Sequence, residues 1–385
     1  MATVERYPTK TEGTLWRVRF RTPDNKQSQK RGFKTKRDAE LFAATLEVGK
    51  ARGEYIGASA GRVRIGDLGP SWLERQQGHM KPSGYRSYDS AWRNHVQPRW
   101  SDTRISDIRY SDVQAWVANL SAGLSASMVA NVYSVLARIL DDAVRDRLIA
   151  SNPARGVKLP KRPPAKNVYL TASQLDALAE EAGDYRSLVL MLGTGGMRWG
   201  EAAALRVSDV DFLRRRVHLH RNAVKVGSEI IVGTLKSNKN RIVALPGFVV
   251  DALAATSAGK GRDDLLWPSR SGGHLGPPSS TGSWLSGAVS RCQQAADAKR
   301  TEELRRHPGD RPATPVFQRI TAHDLRHTAA SLAISAGANP KVVQRMLGHA
   351  SAAMTLDVYA DLFESDIDAV AENVAKMWPR AIGSN

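Results

Sequence analysis

Residues 321–349 read TAHDLRHTAASLAISAGANPKVVQRMLGH and form the most informative stretch of the chain. His323 and Arg326 stand three residues apart, a spacing that places both side chains on one face of a predicted helix. The other side of this helix is apolar and carries Leu325, Ala329 and Leu332. A rigid helix would therefore point two hydrogen-bonding groups that can carry positive charge in one direction, which suits the binding of a phosphate.

Two further motifs accompany this stretch. An Arg-x-Gly-Glu box runs from Arg198 to Glu201 within TGGMRWGEAAALRVSDVDF, residues 194–212. A Leu-Gly-His sequence ends at His349, and Tyr359 follows it by ten residues. A lone His-x-x-Arg is a weak signal, but the four motifs together in this order are specific. With them the chain resembles the tyrosine recombinase family of the phage-integrase type.

A metal-free cleavage of a phosphodiester needs a protein nucleophile, a proton acceptor and a proton donor. The resemblance implies that Tyr359 is the nucleophile, that His323 accepts its proton, and that His349 donates a hydrogen bond to the phosphate. Arg198 and Arg326 come from distant segments and would clamp the phosphate oxygens from two sides.

The acidic residue of the first box, Glu201, has a supporting role in the family that the chain resembles. An ion pair between Arg198 and Glu201 is an alternative interpretation of this box, and both interpretations can hold. On composition alone Tyr359 would be a packed aromatic residue, since the chain has nine tyrosines. Its place after the Leu-Gly-His sequence is what distinguishes it.

The departing 5′ oxygen needs an acid, and the resemblance implies a lysine on a β-hairpin between the first two boxes. Residues 234–246, TLKSNKNRIVALP, match that hairpin. Lys236 precedes the turn and is the predicted acid, whereas Lys239 sits at the turn and would contact DNA. A lysine at a hairpin tip is otherwise most often a solvated residue.

Composition limits the class of protein. The chain has 385 residues, enough for two or three domains, and a net charge of +18, which favours a nucleic-acid partner. Its one cysteine, Cys292, excludes an intramolecular disulfide and a Cys-rich zinc site and fits a reducing cytoplasm. The sequence has no apolar run long enough for a membrane span and no secretory signal. No cluster of side chains has metal-ligand spacing, so we expect neither a metal nor another cofactor.

Residues 1–62 carry the densest positive charge. Residues 15–21, LWRVRFR, alternate apolar residues with arginines, which indicates a strand with one apolar and one basic face. The predicted basic face consists of Arg17, Arg19 and Arg21. A second strand over residues 27–34 and a helix over residues 36–52 would complete a module that resembles the arm-binding domain of lambda-type integrases. We expect the arginine face to bind the major groove of DNA, and a solvated strand face is the alternative.

Residues 63–156 predict a helical, SAM-like core-binding domain of four helices. Arg86 and Arg93 on its polar faces are expected to contact DNA, although most basic helix faces are only solvated. Residues 157–168 are proline-rich, which predicts a linker. Residues 169–385 are predicted to form the catalytic domain. The predicted fold class is multidomain α+β, with a small β-sheet-plus-helix DNA-binding domain, the helical domain, and a mixed, mainly α catalytic domain of the DNA breaking-rejoining type.

Two stretches of the predicted catalytic domain stand apart. A helix is predicted near residues 284–295, and the charged residues 295–318 make a longer connection than the family has before its His-x-x-Arg. No role is assigned to that connection. Near the C-terminus an apolar helical stripe consists of Ile367, Val370, Val374 and Met377. The resemblance implies that this tail docks on a neighbouring protomer.

The sequence as a whole is interpreted as a site-specific DNA recombinase, most simply a phage integrase, that forms a 3′-phosphotyrosine and integrates and excises phage or mobile-element DNA. The implied partners are double-stranded DNA with core and arm attachment sites, three further protomers in a homotetramer, a host DNA-bending factor and an excisionase, all in a bacterial cytoplasm. Three alternatives stay open: a transposon or chromosome-dimer resolving recombinase, a type IB topoisomerase, and a DNA-binding regulator without chemistry.

Overall fold

The structure, a computed structural model, describes residues 2–9, 13–22, 25–52, 55–57, 60–163, 167–235 and 240–364. The chain divides into two compact units, residues 1–164 and residues 165–385, and each has its own hydrophobic core. In the described part of the chain, no helix is long and apolar enough to cross a membrane.

The first unit begins with a three-stranded antiparallel sheet that is covered by one helix. Its elements are β1 (Thr3–Pro8), β2 (Thr14–Arg21), β3 (Gln27–Phe33) and α1 (Lys36–Ala51). The predicted hairpin and helix are confirmed. Strand β1 was not predicted, because its sequence TVERYP has too few apolar residues to show the alternation of a half-buried strand.

The alternation along β2 sorts its side chains onto two faces of the sheet. Val18 and Phe20 are buried against Ala39 of α1. Thr35 caps α1 by accepting a hydrogen bond from the backbone N–H of Asp38. The sheet therefore turns its apolar face to the helix and leaves its arginine-bearing face uncovered by α1.

The rest of the first unit is helical, as predicted. Its helices are α2 (Ile65–Gln77), α3 (Pro82–Ala91), α4 (Gln97–Trp100), α5 (Tyr110–Ser121) and α6 (Ala126–Arg145), with a π-helical turn over Trp92–Val96 between α3 and α4. Helix α6 lies at the centre of the core and is capped by Ser125. A Cβ at Gly69 would lie 1.9 Å from the Trp92 indole, so glycine at this position lets Trp92 pack directly on α2.

The second unit is mainly helical and has a few short strands that pair antiparallel. Its elements are α7 (Ala172–Glu181), α8 (Arg186–Gly195), α9 (Trp199–Ala203), β4 (Val210–Asp211), β5 (Arg216–Leu219), β6 (Asn222–Val226), β7 (Glu229–Gly233), β8 (Arg241–Ala244), α10 (Gly247–Ser257), α11 (Trp284–Arg306), α12 (Ala322–Ser335), α13 (Pro340–Leu347) and α14 (Ala352–Glu364). Strands β4, β5 and β8 form one antiparallel sheet, and β6 and β7 form a separate hairpin. The predicted fold class is confirmed.

The apolar helix α8 organises the second unit. Its residues 188–192, LVLML, are all buried, and the helix packs against α7, α10 and α12. This packing sets the C-terminal end of α8, where the first motif begins, beside α12, which carries the His-x-x-Arg motif. Two motifs that are far apart in the sequence are thereby brought together.

The charged connection before α12 has a defined structure. Helix α11 extends to Arg306, eleven residues beyond the predicted end at residue 295. Its last turns hold the following loop, because Arg300 donates a hydrogen bond to the backbone carbonyl of Thr314 (2.6 Å) and Glu303 accepts one from the Thr314 N–H (3.0 Å). The helix was predicted too short because residues 296–306 carry many charges and little apolar periodicity.

Candidate active site

The first motif begins where α8 ends. Gly196 adopts a left-handed conformation (φ 64°) and ends the helix, and Arg198 then precedes the short helix α9. The backbone N–H of Arg198 donates to Glu201 (2.8 Å), and its guanidinium donates to the same carboxylate (3.1 Å). The predicted ion pair between Arg198 and Glu201 is therefore present. The Arg198 side chain stays 29% exposed and can still reach a ligand.

A second arginine shares the Glu201 carboxylate. Arg241 of β8 donates two hydrogen bonds to Glu201, of 2.9 and 2.6 Å, and one through Nε to the backbone carbonyl of Met346 (3.2 Å). Glu201 is only 1% exposed. Burial alone would raise the pKa of Glu201. The hydrogen bonds and charge of Arg241, with smaller contributions from Arg198, nevertheless hold this pKa below its ordinary value. Arg241 belongs to the predicted hairpin of residues 234–246, but the sequence carries no signal for this role.

Arg326 is 3% exposed and connects the segment before the Arg-x-Gly-Glu box to the Leu-Gly-His sequence. Its guanidinium donates to the backbone carbonyl of Gly196 (2.6 Å) and to that of Leu347 (2.7 Å). Burial lowers the pKa of Arg326 to about 9, and the positive charge of Arg198 acts in the same direction. Arg326 remains charged at neutral pH. A buried cation beside a second cation creates a local excess of positive charge, which an anion such as a phosphate would neutralise.

His349 lies just beyond α13, and Tyr359 lies within α14. Their rings are nearly parallel, with centroids 6.5 Å apart. His349 Nδ1 is 3.0 Å from the hydroxyl of the fully buried Thr355. Burial, followed by the charge of Arg326, lowers the pKa of His349 to about 4, so this ring is neutral at pH 7. Helix α14 departs from helical geometry at Tyr359 (φ −127°, ψ 16°).

Tyr359 is buried, and its hydroxyl contacts a histidine that sequence analysis did not single out. His327 Nδ1 lies 2.8 Å from the Tyr359 hydroxyl. The predicted proton acceptor, His323, is an exposed residue one turn earlier in α12, and its ring centroid is 5.0 Å from that of His327. The spacing of four residues between the two histidines was a signal that could have identified His327.

The remaining predicted site residues are spread over the chain. Lys236, Lys239 and the tail from Ile367 to Met377 lie outside the described residues. Arg86 is exposed on α3, and Arg93 is exposed in the π-helical turn, where it pairs with Asp89 at 2.8 Å. The structure thus keeps both arginines at the surface of the helical domain.

The arginine face of the N-terminal sheet is accessible but is not purely basic. Arg17 and Arg19 both approach the carboxylate of Glu5 on β1, at 2.9 and 3.6 Å. Arg21 is exposed at the end of β2. In the next strand Arg31 lies opposite Arg17, which adds a fourth cation to this surface.

Gly196 provides a test of how the motifs are joined. We expect Gly196→Ala to destabilise the protein beyond the roughly 1–2 kcal/mol of left-handed strain, because the new Cβ would lie 2.6 Å from Leu347 Cδ2. Gly183→Ala is a matched control, since Gly183 has φ 56° and no heavy atom within 4 Å of a Cβ there. Urea unfolding of both variants measures the difference. Equal losses of stability would contradict the close contact at Gly196.

Among the described residues, no group of three or more His, Cys, Asp or Glu side chains is arranged to hold a metal ion. The site is built from three arginines, a shared carboxylate, histidines and a buried tyrosine. Such a set can bind a phosphate through charge-assisted hydrogen bonds and can supply an oxygen nucleophile together with a nitrogen base.

Three family models match the chain. Residues 168–365 match the phage integrase family, residues 6–48 match an arm DNA-binding domain, and residues 66–121 match the N-terminal SAM-like domain of phage integrases. The catalytic-type match spans the first box, the His-x-x-Arg motif, the Leu-Gly-His sequence and Tyr359.

Individual proteins are similar over most of the chain. A putative prophage phiRv2 integrase of Mycobacterium tuberculosis is 28% identical, over 89% of this chain and 87% of the relative. Among solved structures, the Tn1549 transposon integrase in complex with a circular intermediate DNA has a TM-score of 0.62 at 20% identity, over 80% of this chain and 99% of that one. A lambda integrase tetramer bound to a Holliday junction has a TM-score of 0.51 at 16% identity, over 90% and 95%.

Proposed function

The chain belongs to the phage integrase family, whose members are tyrosine-type site-specific recombinases, and from this premise we propose how its residues cut and rejoin DNA. Tyr359 attacks a scissile phosphate, forms a 3′-phosphotyrosine and releases a 5′ hydroxyl. A 5′ hydroxyl of a partner strand then attacks the phosphotyrosine and restores a phosphodiester. One phosphoester bond is exchanged for another at each step, so the reaction conserves bond energy.

The single observation that supports this proposal best is the junction at Arg326. Its guanidinium bonds the backbone of the segment before Arg198 and the backbone just before His349, so three motifs meet at one buried cation. We propose that Arg198 and Arg326 bind the phosphate oxygens, and that His349 donates to them through Nε2, with Nδ1 engaged by Thr355. Removal of one such preorganised contact typically costs about 3 kcal/mol in a transition state.

The two proton transfers involve residues of α12 and of the β7–β8 connection. A histidine of α12 accepts the phenolic proton, and His323 and His327 are the two on that face of the helix. Lys236 is proposed to protonate the 5′ oxygen, and Lys239 to contact DNA. The experiment that tests the proposed function is a nicked suicide substrate made from the attachment core, on which the wild-type protein should accumulate as a covalent protein–DNA complex.

We propose that the partner of the first unit is also DNA. The helical domain would hold the core site, with Arg86 and Arg93 on the phosphate backbone, and the N-terminal sheet would bind separate arm sites. Holding two sites through one chain raises the effective concentration of the second binding event. By analogy with the lambda integrase tetramer, the working unit is proposed to be a homotetramer. The tail from Ile367 to Met377 would dock on a neighbouring protomer. A host DNA-bending factor and an excisionase would set whether recombination integrates or excises the DNA. The reaction would take place in the bacterial cytoplasm.

The arginine face of the N-terminal sheet is tested by the salt dependence of arm-site binding. We expect the double substitution Arg19→Ala/Arg21→Ala to reduce the slope of log affinity against log salt by about one unit for each phosphate that the variant no longer neutralises. The matched control removes two charges from the helix side of the same domain, with Lys36→Ala/Arg37→Ala. Gel-shift titrations over a range of salt measure the slope. If both double variants change it equally, or neither does, the arginine face is only solvated.

A further inference from the structure

The buried hydroxyl of the nucleophile has a specific partner. Tyr359 is 2% exposed, and its hydroxyl lies 2.8 Å from His327 Nδ1, within the range of a strong hydrogen bond. The Tyr359 ring lies near the parallel ring of His349 and near the ring of Tyr169, at centroid distances of 6.5 and 6.4 Å. The phenol is therefore fixed with its oxygen directed at one imidazole nitrogen.

The protonation states of the two groups allow the phenol to donate this hydrogen bond. Burial raises the pKa of Tyr359 to about 12, so the phenol carries its proton at neutral pH. Burial, followed by the nearby His323, lowers the pKa of His327 below its ordinary value, so the imidazole is neutral. In the tautomer that carries its proton on Nε2, the neutral imidazole accepts the phenolic hydrogen at Nδ1. In that tautomer the proton that must leave Tyr359 points at His327.

His327 also has a fixed place in the site. It follows Arg326 directly in α12, and the Arg326 guanidinium is held by two backbone carbonyls. One turn earlier, His323 is exposed and touches the His327 ring edge-to-face, at 5.0 Å between centroids. Helix α12 therefore offers one histidine to the phenol and carries another, more exposed one a turn earlier.

We propose that His327 is a catalytic residue that accepts the phenolic proton when Tyr359 attacks DNA. The inference rests on the proposed function. In cleavage, the Tyr359 oxygen forms a bond to phosphorus, the bond from phosphorus to the 5′ oxygen breaks, and the phenolic proton moves to His327 Nδ1. The 5′ oxygen leaves with a proton from a lysine ammonium, for which Lys236 is the predicted donor. In rejoining, the attacking 5′ hydroxyl returns a proton to that lysine, and the His327 imidazolium returns its proton to the Tyr359 oxygen.

The assignment differs from the role that the resemblance implies for His323. A proton acceptor must lie within hydrogen-bond reach of the proton that it takes, and His327 meets this condition at 2.8 Å. His323 would then act on the phosphate. General-base catalysis typically contributes about 10²–10⁴-fold to a rate, so the two histidines can be distinguished by single-turnover kinetics.

The test compares His327→Ala, His327→Asn and His323→Ala on the nicked core-site suicide substrate, with gel-shift binding measured for each. We expect His327→Ala to bind the core site normally and to form covalent complex at least about 10²-fold more slowly. His327→Asn should be equally slow, because an amide oxygen can accept the hydrogen bond but cannot take the proton. Added imidazole should restore His327→Ala by at least roughly tenfold and should not restore His323→Ala.

Pyrazole is the matched control for the rescue, because it has the same ring size but is a far weaker base. The proposal is overturned if pyrazole restores His327→Ala as well as imidazole does, if neither compound restores it, or if His327→Asn retains a rate near wild type. The last result would make His327 a positioning residue only. The proposed function fails separately, if the wild-type protein itself forms no covalent complex on the suicide substrate.

Discussion

Tyr359→Phe is expected to abolish covalent attachment of the protein to DNA and to leave DNA binding nearly unchanged. The substitution removes one oxygen, while phenylalanine keeps the ring contacts with His349 and Tyr169. Loss of the hydrogen bond to His327 should cost only about 0.5–1.5 kcal/mol of stability. Because the missing oxygen is the atom that would bond to phosphorus, the covalent complex should fall below detection rather than form slowly.

The measurement is denaturing gel electrophoresis of the protein on the nicked core-site substrate, with gel-shift titration for binding. Tyr169→Phe is the matched control, since its ring centroid lies only 6.4 Å from that of Tyr359. This control should form covalent complex at close to the wild-type rate. A Tyr359→Phe protein that still becomes linked to DNA would show that another residue is the nucleophile.

Glu201→Ala is expected to produce the largest loss of stability among single substitutions in the site. The carboxylate is 1% exposed and accepts hydrogen bonds from Arg198 and, bidentately, from Arg241. Removing one partner of a buried ion pair leaves uncompensated charge and typically costs about 3–5 kcal/mol. Glu302→Ala is the control, because Glu302 pairs with arginines that are largely exposed, and such pairs are worth about 1 kcal/mol or less.

The pH dependence of unfolding supplies an independent check, with Glu201→Gln as a neutral variant of similar shape. The pKa of Glu201 is lowered in the folded state by Arg241, from an ordinary value of 4.5. Its charge therefore contributes stability above pH 4.5, and that contribution is lost as the pH falls through the lower, folded-state pKa. The difference in unfolding free energy between wild type and Glu201→Gln should narrow in acid. A difference that stays constant from pH 7 into acid would contradict the ion pair.

Local patterns were sufficient where the physical cause is local. The period of two in β2 predicted which residues face α1, since successive side chains of a strand point to opposite sides. The start of α6 at Ser125 also has a local cause, because the cap accepts a hydrogen bond from a backbone N–H of the same turn. The charged half of α11 and strand β1 were missed because neither shows the apolar periodicity that marks an element in the sequence.

The contacts that complete the site depend on the path of the chain. Arg241 lies forty residues beyond Glu201 on a strand that pairs with β5, and its contact with that carboxylate is a tertiary one. His327 shares a helix face with His323, but the position of α14 decides which of the two reaches Tyr359.

The sequence by itself determined the family, the order of the motifs and the chemistry of their side chains, because motif order and residue type are properties of the chain. Tertiary structure alone decided that Arg326 is held by the carbonyls of Gly196 and Leu347, that Glu201 serves two arginines, and that Tyr359 meets His327. A periodic pattern predicts which face of an element is buried. Which side chains pack against that face depends on segments that are far apart in the sequence.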